Sequence, residues 1–193
     1  MKFIFILFLT TTFISTNIFS ADADSENCSN KNVPSEERSF SNNFAGVFNG
    51  KRLEYTASLN EKILYEKDNP GEPMASFFYT EYIVDSEVDR PVIFSFNGGP
   101  GSASLWLHMG VLGPKVIKVP SDASDDGSAP YKIVDNKLSP LSDADLVFID
   151  PIGTGYSRAI GCHDSEEFWG VSEDPKIIAE FIRRWINDNK RWN

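Results

Sequence analysis

The chain has 193 residues, with 18 Lys and Arg against 28 Asp and Glu and a formal net charge of −10 at pH 7. That excess of negative charge argues against nucleic acid and anionic membrane surfaces as partners. Its two histidines, His108 and His163, and two cysteines, Cys28 and Cys162, do not stand at metal-ligand spacing, so neither a metal nor a cofactor is expected.

In chain order, Lys2 precedes the apolar run Phe3 to Leu9, which continues more weakly to Phe19 before the small residues Ala21-Asp22-Ala23. This pattern predicts a secretory signal peptide over 1–23, cleaved after Ala23. A membrane span is the weaker reading, because Thr10 to Thr12, Ser15, Thr16 and Asn17 interrupt a stretch that would need about 20 mostly apolar residues. No stable membrane anchor is therefore expected. The mature chain, still at −10 because Lys2 and Asp22 leave together, belongs in the periplasm, the extracellular space or a vacuolar/lysosomal compartment. Cys28 and Cys162 are free to pair there, and the sequence leaves that pairing open.

Asp24 to Asn43 is rich in Ser, Asn, Glu and Lys and reads as a disordered polar arm. From Phe44 to the end, 44–193, the chain reads as part of one domain. Asn49-Gly50 is a hairpin turn, and Leu53, Tyr55, Ala57 and Leu59 alternate with polar residues as in a half-exposed strand that continues through Ile63 to Tyr65. Asn69-Pro70-Gly71 turns the chain again, and Ala75 to Val84 is a third strand. Pro91 to Phe96 is a short apolar run suited to a parallel strand buried on both faces.

Asn97 to Gly101 then turns sharply into a predicted helix over Ser102 to Leu112, with Leu105, Met109 and Leu112 as its apolar face and Gly113-Pro114 as its stop. Ser121 to Pro130 is a surface loop, Tyr131 to Val134 a short strand, and Asp145 to Asp150 a second buried strand in a central position. Ser172-Glu173-Asp174-Pro175 opens a final helix with Ile177, Ile178, Phe181, Ile182, Trp185 and Ile186 on one face.

A strand, a glycine turn and a helix place backbone N–H groups at the positive end of a helix, where negative charge is stabilised. A phosphate fits poorly, since no G-K-[ST] follows and the Gly99, Gly101, Ser104 spacing lacks the third glycine of a dinucleotide fingerprint. The oxyanion formed when an acyl group is attacked is the better anion. A tight connection that binds nothing accounts for the loop alone equally well.

Gly155-Tyr156-Ser157-Arg158-Ala159 comes within one residue of a G-x-S-x-G nucleophile elbow, with His163 and Asp164 close behind. A self-contained hydrolase using Ser157 and His163 is the minor reading, because Gly161, the polar Cys162 to Glu167 and Gly170 break the helix that an elbow needs. His108 reads as a packed or solvated histidine rather than a catalytic base.

Three segments in order, Asn97-Gly98-Gly99-Pro100-Gly101, Leu112-Gly113-Pro114 and Asp150-Pro151-Ile152-Gly153-Thr154-Gly155-Tyr156-Ser157, resemble the serine carboxypeptidase family of α/β-hydrolase-fold peptidases. The resemblance implies an α/β fold, with antiparallel N-terminal strands leading into a central parallel sheet with covering helices. It implies removal of C-terminal residues from peptides through an acyl-enzyme, so that peptide or protein C-termini are the expected partners. By the same resemblance Gly99 donates its N–H to the oxyanion, Asn97 and Gly98 hold the substrate's terminal carboxylate, and Tyr156 lies on the substrate-binding rim.

The likeness covers the N-terminal portion of such a catalytic domain. The family's Gly-Glu-Ser-Tyr-Gly elbow, aspartate and histidine have no counterpart here, so the chain reads as a truncated fragment, inactive alone or a non-catalytic peptide-binding remnant. Truncation is expected to expose Ile177 and Phe181. Two departures stand out: Gly101-Ser102-Ala103-Ser104 lacks a cysteine frequent in the family, and Val111 replaces a glutamate associated with acid-pH recognition of the C-terminus.

Overall fold

The computed structural model describes residues 32–98, 101–119 and 129–192. The expected signal peptide, Cys28, Gly99 and residues 121–128 of the acidic loop lie outside the described residues. Strands β1 (Ser39–Phe48), β2 (Lys51–Tyr65) and β3 (Pro73–Val84) form an antiparallel meander. Asn49 and Gly50, at φ of 48° and 79°, make the tight turn that matches the twist of paired strands. β1 begins at Ser39, so the polar arm expected to reach Asn43 gives way earlier. Cross-strand bonds such as Ser39 Oγ to Asn60 Oδ1 at 2.6 Å hold this exposed stretch, where composition offered no apolar signal.

Beyond β4 (Val92–Ser95) come a short helix, α1 (Leu105–Leu107), a π-turn over His108–Leu112, and the small ribbon β5 (Lys115–Lys118) with β6 (Lys132–Asp135). β7 (Asp145–Ile149), β8 (Arg158–Ala159), α2 (Glu173–Asp188) and two short 3-10 turns, Pro140–Ser142 and Ser165–Phe168, complete the described elements. The main sheet runs β1-β2-β3-β7-β4, with β8 on β3 and only the β4/β7 pair parallel. No helix among the described residues is long and apolar enough to cross a membrane.

β7 is buried along its whole length, as its unbroken apolar sequence predicts. Because successive side chains point to opposite faces, Val147 and Ile149 join one core with α2, whereas Leu146 and Phe148 join a second with Phe48, Tyr55 and Tyr82. The first core is sealed by Ile177, Ile178, Phe181 and Trp185, which recur at helical spacing along α2. Phe181 packs on Phe77 at 5.2 Å between ring centres, and Trp185 meets Phe94 edge-on at the same separation. Ile177 and Phe181, expected to be exposed, retain only 8% and 1% of their accessible surface. The sheet itself covers them.

Two other expectations are corrected. β4 pairs with β7 alone among the described strands and is only partly covered: Val92 and Phe94 are half-buried against α2, Ile93 on the other face is 37% exposed, and Phe96, just past the strand, is 43% exposed. The helix predicted over Ser102–Leu112 starts three residues late and widens into the π-turn, closed by Gly113 N–H to His108 C=O at 2.9 Å. A Cβ on Gly113 would lie 2.3 Å from that carbonyl oxygen, so the closure depends on glycine. The wider turn directs Leu107 and Leu112 inward and leaves Leu105 out.

At the start of β7, the buried Asp145 carboxylate gathers two arginines and a backbone N–H from three parts of the chain. Its Oδ1 accepts from Val84 N–H and Arg90 Nε at 3.1 and 3.0 Å, and its Oδ2 accepts from Arg191 Nη1 and Nη2, both at 3.1 Å. Two cations on one carboxylate offset the large cost of removing that charge from water, whereas deleting it strands both guanidiniums. Asp145→Ala should lower stability by about 3–5 kcal/mol, read as an earlier urea midpoint.

Candidate active site

The site is built where β4 and β7 end side by side. β4 delivers Asn97 and Gly98 just past its last residue, β7 delivers Asp150, and Ser104 joins the two. Ser104 is buried; its Oγ donates to the Ile149 carbonyl and accepts from Asn97 N–H at 3.4 Å, and its own N–H donates to Asp150 Oδ1 at 2.8 Å. Asn97 and Ser104 are thereby fixed to the carboxyl edge of the sheet, where open α/β sheets place their ligands. Asn97 Oδ1 is shielded from solvent and has no hydrogen-bond partner among the described residues. Gly98 is exposed.

The opposing wall is the turn from Pro151 to Ser157. Thr154 caps it, its N–H and Oγ1 both donating to the Pro151 carbonyl at 3.0 and 2.8 Å, and Ser157 N–H returns to Thr154 C=O at 2.9 Å. Gly155, at φ 51°, is required twice over: its backbone is left-handed, and a Cβ there would sit 2.0 Å from Asp150 Oδ2. The turn holds Tyr156 out at the rim, 71% exposed, with its ring 5.7 Å from Phe78. A cavity of about 90 Å³ lies beside Tyr156, lined by Ser104, Leu105, His108, Phe148 and Asp150 among others. Burial pushes the Asp150 carboxyl above its ordinary range, and the Ser104 N–H only partly offsets this.

Of the predicted site residues, Asn97, Gly98 and Tyr156 come to this one edge, and Gly99 lies outside the described residues. Ser157 is not a nucleophile. It is fully buried, and its Oγ accepts from Phe78 N–H at 2.8 Å. His163 is committed elsewhere: Nδ1 bonds Glu167 Oε2 at 2.8 Å, and Nε2 lies 3.1 Å from Glu66 Oε1, near enough for an ion pair but without hydrogen-bond alignment. His108 stacks on Phe148 at 4.6 Å and meets the Tyr82 hydroxyl through Nε2 at 2.6 Å, and burial depresses its pKa to about 4. It is a neutral packing residue. Cys162 is disulfide-bonded.

Sequence reasoning quoted Ser104 and Asp150 but gave neither a role. The only available signal was that both sit in glycine-bearing turns at strand ends. Among the described residues no group of His, Cys, Asp and Glu is placed to hold a metal.

The serine carboxypeptidase family model matches residues 65–192. The chain is 37% identical over 127 residues to the pheromone-processing carboxypeptidase KEX1 of Saccharomyces cerevisiae strain JAY291, covering 63% of this chain and 16% of that protein. Against KEX1 of strain ATCC 204508 / S288c the identity is 39% over 114 residues, covering 56% and 14%. The match thus spans well under a quarter of the length of these relatives.

Ser157→Ala should cost about 1–3 kcal/mol of stability, because Phe78 N–H is left buried without an acceptor, and thermal unfolding reads the loss. Asp150 has its carboxyl raised, so its ionised form is the costly one in the folded chain. Its contribution to stability is fully present below the ordinary Asp value and is lost as pH rises through the folded value. Asp150→Asn should therefore be more stable than the parent at neutral pH, with the advantage vanishing in acid when unfolding is followed against pH.

Proposed function

The chain belongs to the serine carboxypeptidase family, and from that premise we propose that the whole protein removes C-terminal residues from peptides by acyl-enzyme hydrolysis. A serine attacks the carbonyl of the last peptide bond, and a histidine takes its proton and returns it to the leaving amine. Neither His108 nor His163 suits that role, since one is packed neutral and the other is held by carboxylates. These residues instead supply the anion-binding side of the reaction. Asn97 and Gly98 hold the terminal carboxylate, Gly99 N–H receives the oxyanion, and Tyr156 contacts the peptide. One such oxyanion donor is worth about 2.7–4 kcal/mol in a comparable site.

The observation that carries this reading is the Ser104 junction, which brings the Asn97-Gly98 turn against the Asp150–Tyr156 turn at the carboxyl edge of the sheet. The shielded Asn97 Oδ1, with no partner among the described residues, is consistent with an amide held for a ligand rather than for the fold. The disulfide at Cys162 supports an oxidising compartment, and with it export by an N-terminal signal to the periplasm, the extracellular space or a vacuole or lysosome.

The test uses the full-length protein and blocked dipeptides that end in a free carboxylate or in an amide. Parent protein should strongly prefer the free acid, and Asn97→Ala should lose about 1.5–3 kcal/mol of kcat/KM on the acid alone, chiefly through KM. Equal turnover of acid and amide would show that the carboxylate is not what the site reads.

A further inference from the structure

Across the Phe78–Tyr156 wall from the small cavity lies a cleft of about 510 Å³, within the range of ligand sites. Its lining includes Arg38, Glu61, Phe78, Tyr156, Arg158 and His163. Most of these charges are already satisfied. Arg38 grips Glu61 through Nε and Nη2 at 2.7 and 3.2 Å and lies over the Phe78 ring at 4.9 Å, and Glu61 also accepts from Ser76 Oγ at 2.5 Å. His163 is held by Glu66 and Glu167.

Arg158 differs. In a chain with an excess of ten negative charges, no carboxylate among the described residues pairs with it, although Asp164 lines the same cleft. Its position is nonetheless defined. Nη1 donates to the carbonyls of Ser157 at 2.7 Å and Thr154 at 3.4 Å, which ties the guanidinium to the turn that carries Tyr156. Nε and Nη2 have no partner among the described residues, and they form one edge of the planar fork, the edge that grips a carboxylate through two parallel N–H bonds.

We propose that this cleft is a subsite for an acidic side chain of the peptide, upstream of the bond cleaved, and that Arg158 is the specificity-determining residue that recognises it. The inference rests on the carboxypeptidase reading for its orientation: with the terminal carboxylate held by Asn97 and Gly98, a cleft that begins at Tyr156 and runs away from them meets residues on the amino side. Phe78 and Tyr156 supply an apolar wall for the side chain's methylenes, and the fixed guanidinium receives its carboxylate. Because Nη1 is anchored to backbone, little side-chain entropy remains to be lost on binding.

Blocked peptides that differ only by Glu, Gln or Lys at each upstream position, presented to the full-length protein, test this. At one position Glu should exceed Gln in kcat/KM by about five- to tenfold, an advantage that shrinks with added salt. The Glu/Gln ratio should fall to about one in Arg158→Gln and recover in part in Arg158→Lys, which restores charge without the fork. A ratio of one at every position in the parent, or a ratio unchanged in Arg158→Gln, overturns the proposal.

Calorimetric titration with the same Glu and Gln peptides provides a readout that does not need turnover. If nothing is hydrolysed but the Glu peptide still binds more tightly through Arg158, the carboxypeptidase reading fails and the subsite stands. Equal binding of both peptides to parent protein sinks the subsite. Melting curves establish that Arg158→Gln folds, and should it not, Arg158→Lys and the salt dependence of the parent decide.

Discussion

Strand β7 is gripped at both ends by buried polar groups, and the arrangement of everything around it follows from that. At its start Asp145 gathers Arg90, Arg191 and the last N–H of β3; at its end the Ile149 carbonyl and the Asp150 carboxylate receive Ser104. Between these ends the strand is wholly apolar and serves two cores, one per face. A strand clamped in this way cannot slip in register without stranding several buried polar groups at once.

The buried carboxylates also separate structure from site. Asp145 meets two arginines; Glu61 is pushed up by burial but brought net below its ordinary range by Arg38 and Ser76. Glu81 is raised chiefly by burial and is held by Asn60 and Trp185. Asp150, by contrast, accepts from the Ser104 N–H and presses on a glycine that has no room for a side chain. Of these four, the carboxylate with the thinnest compensation lines the small cavity at the proposed site, where proteins more often tolerate an electrostatic cost.

Much of the architecture was legible in local pattern. The alternation in β2 and β3, the Asn49-Gly50 turn, the unbroken apolar run of β7 and the stripe on α2 each report a periodicity set by near neighbours. The extent of β1 was not legible, because cross-strand hydrogen bonds from Ser and Thr hydroxyls to Asn carry no hydropathy signal. The π-turn was hidden for a different reason: Leu105, Met109 and Leu112 satisfy a regular helix, while the closure at Gly113 depends on a single close approach.

The sequence by itself determined β2, β3, β7 and the final helix α2 and, through three glycine-bearing motifs, the family to which the chain belongs. Tertiary structure alone decided that Ser157 is a buried acceptor and no elbow, that β4 is only partly covered, and that Ser104 reaches an aspartate 46 residues away. It also decided that one arginine is tied to backbone with half its fork open. Periodicity records which way a side chain points along its own element; what it meets there is set by how distant elements pack, and no local pattern encodes that.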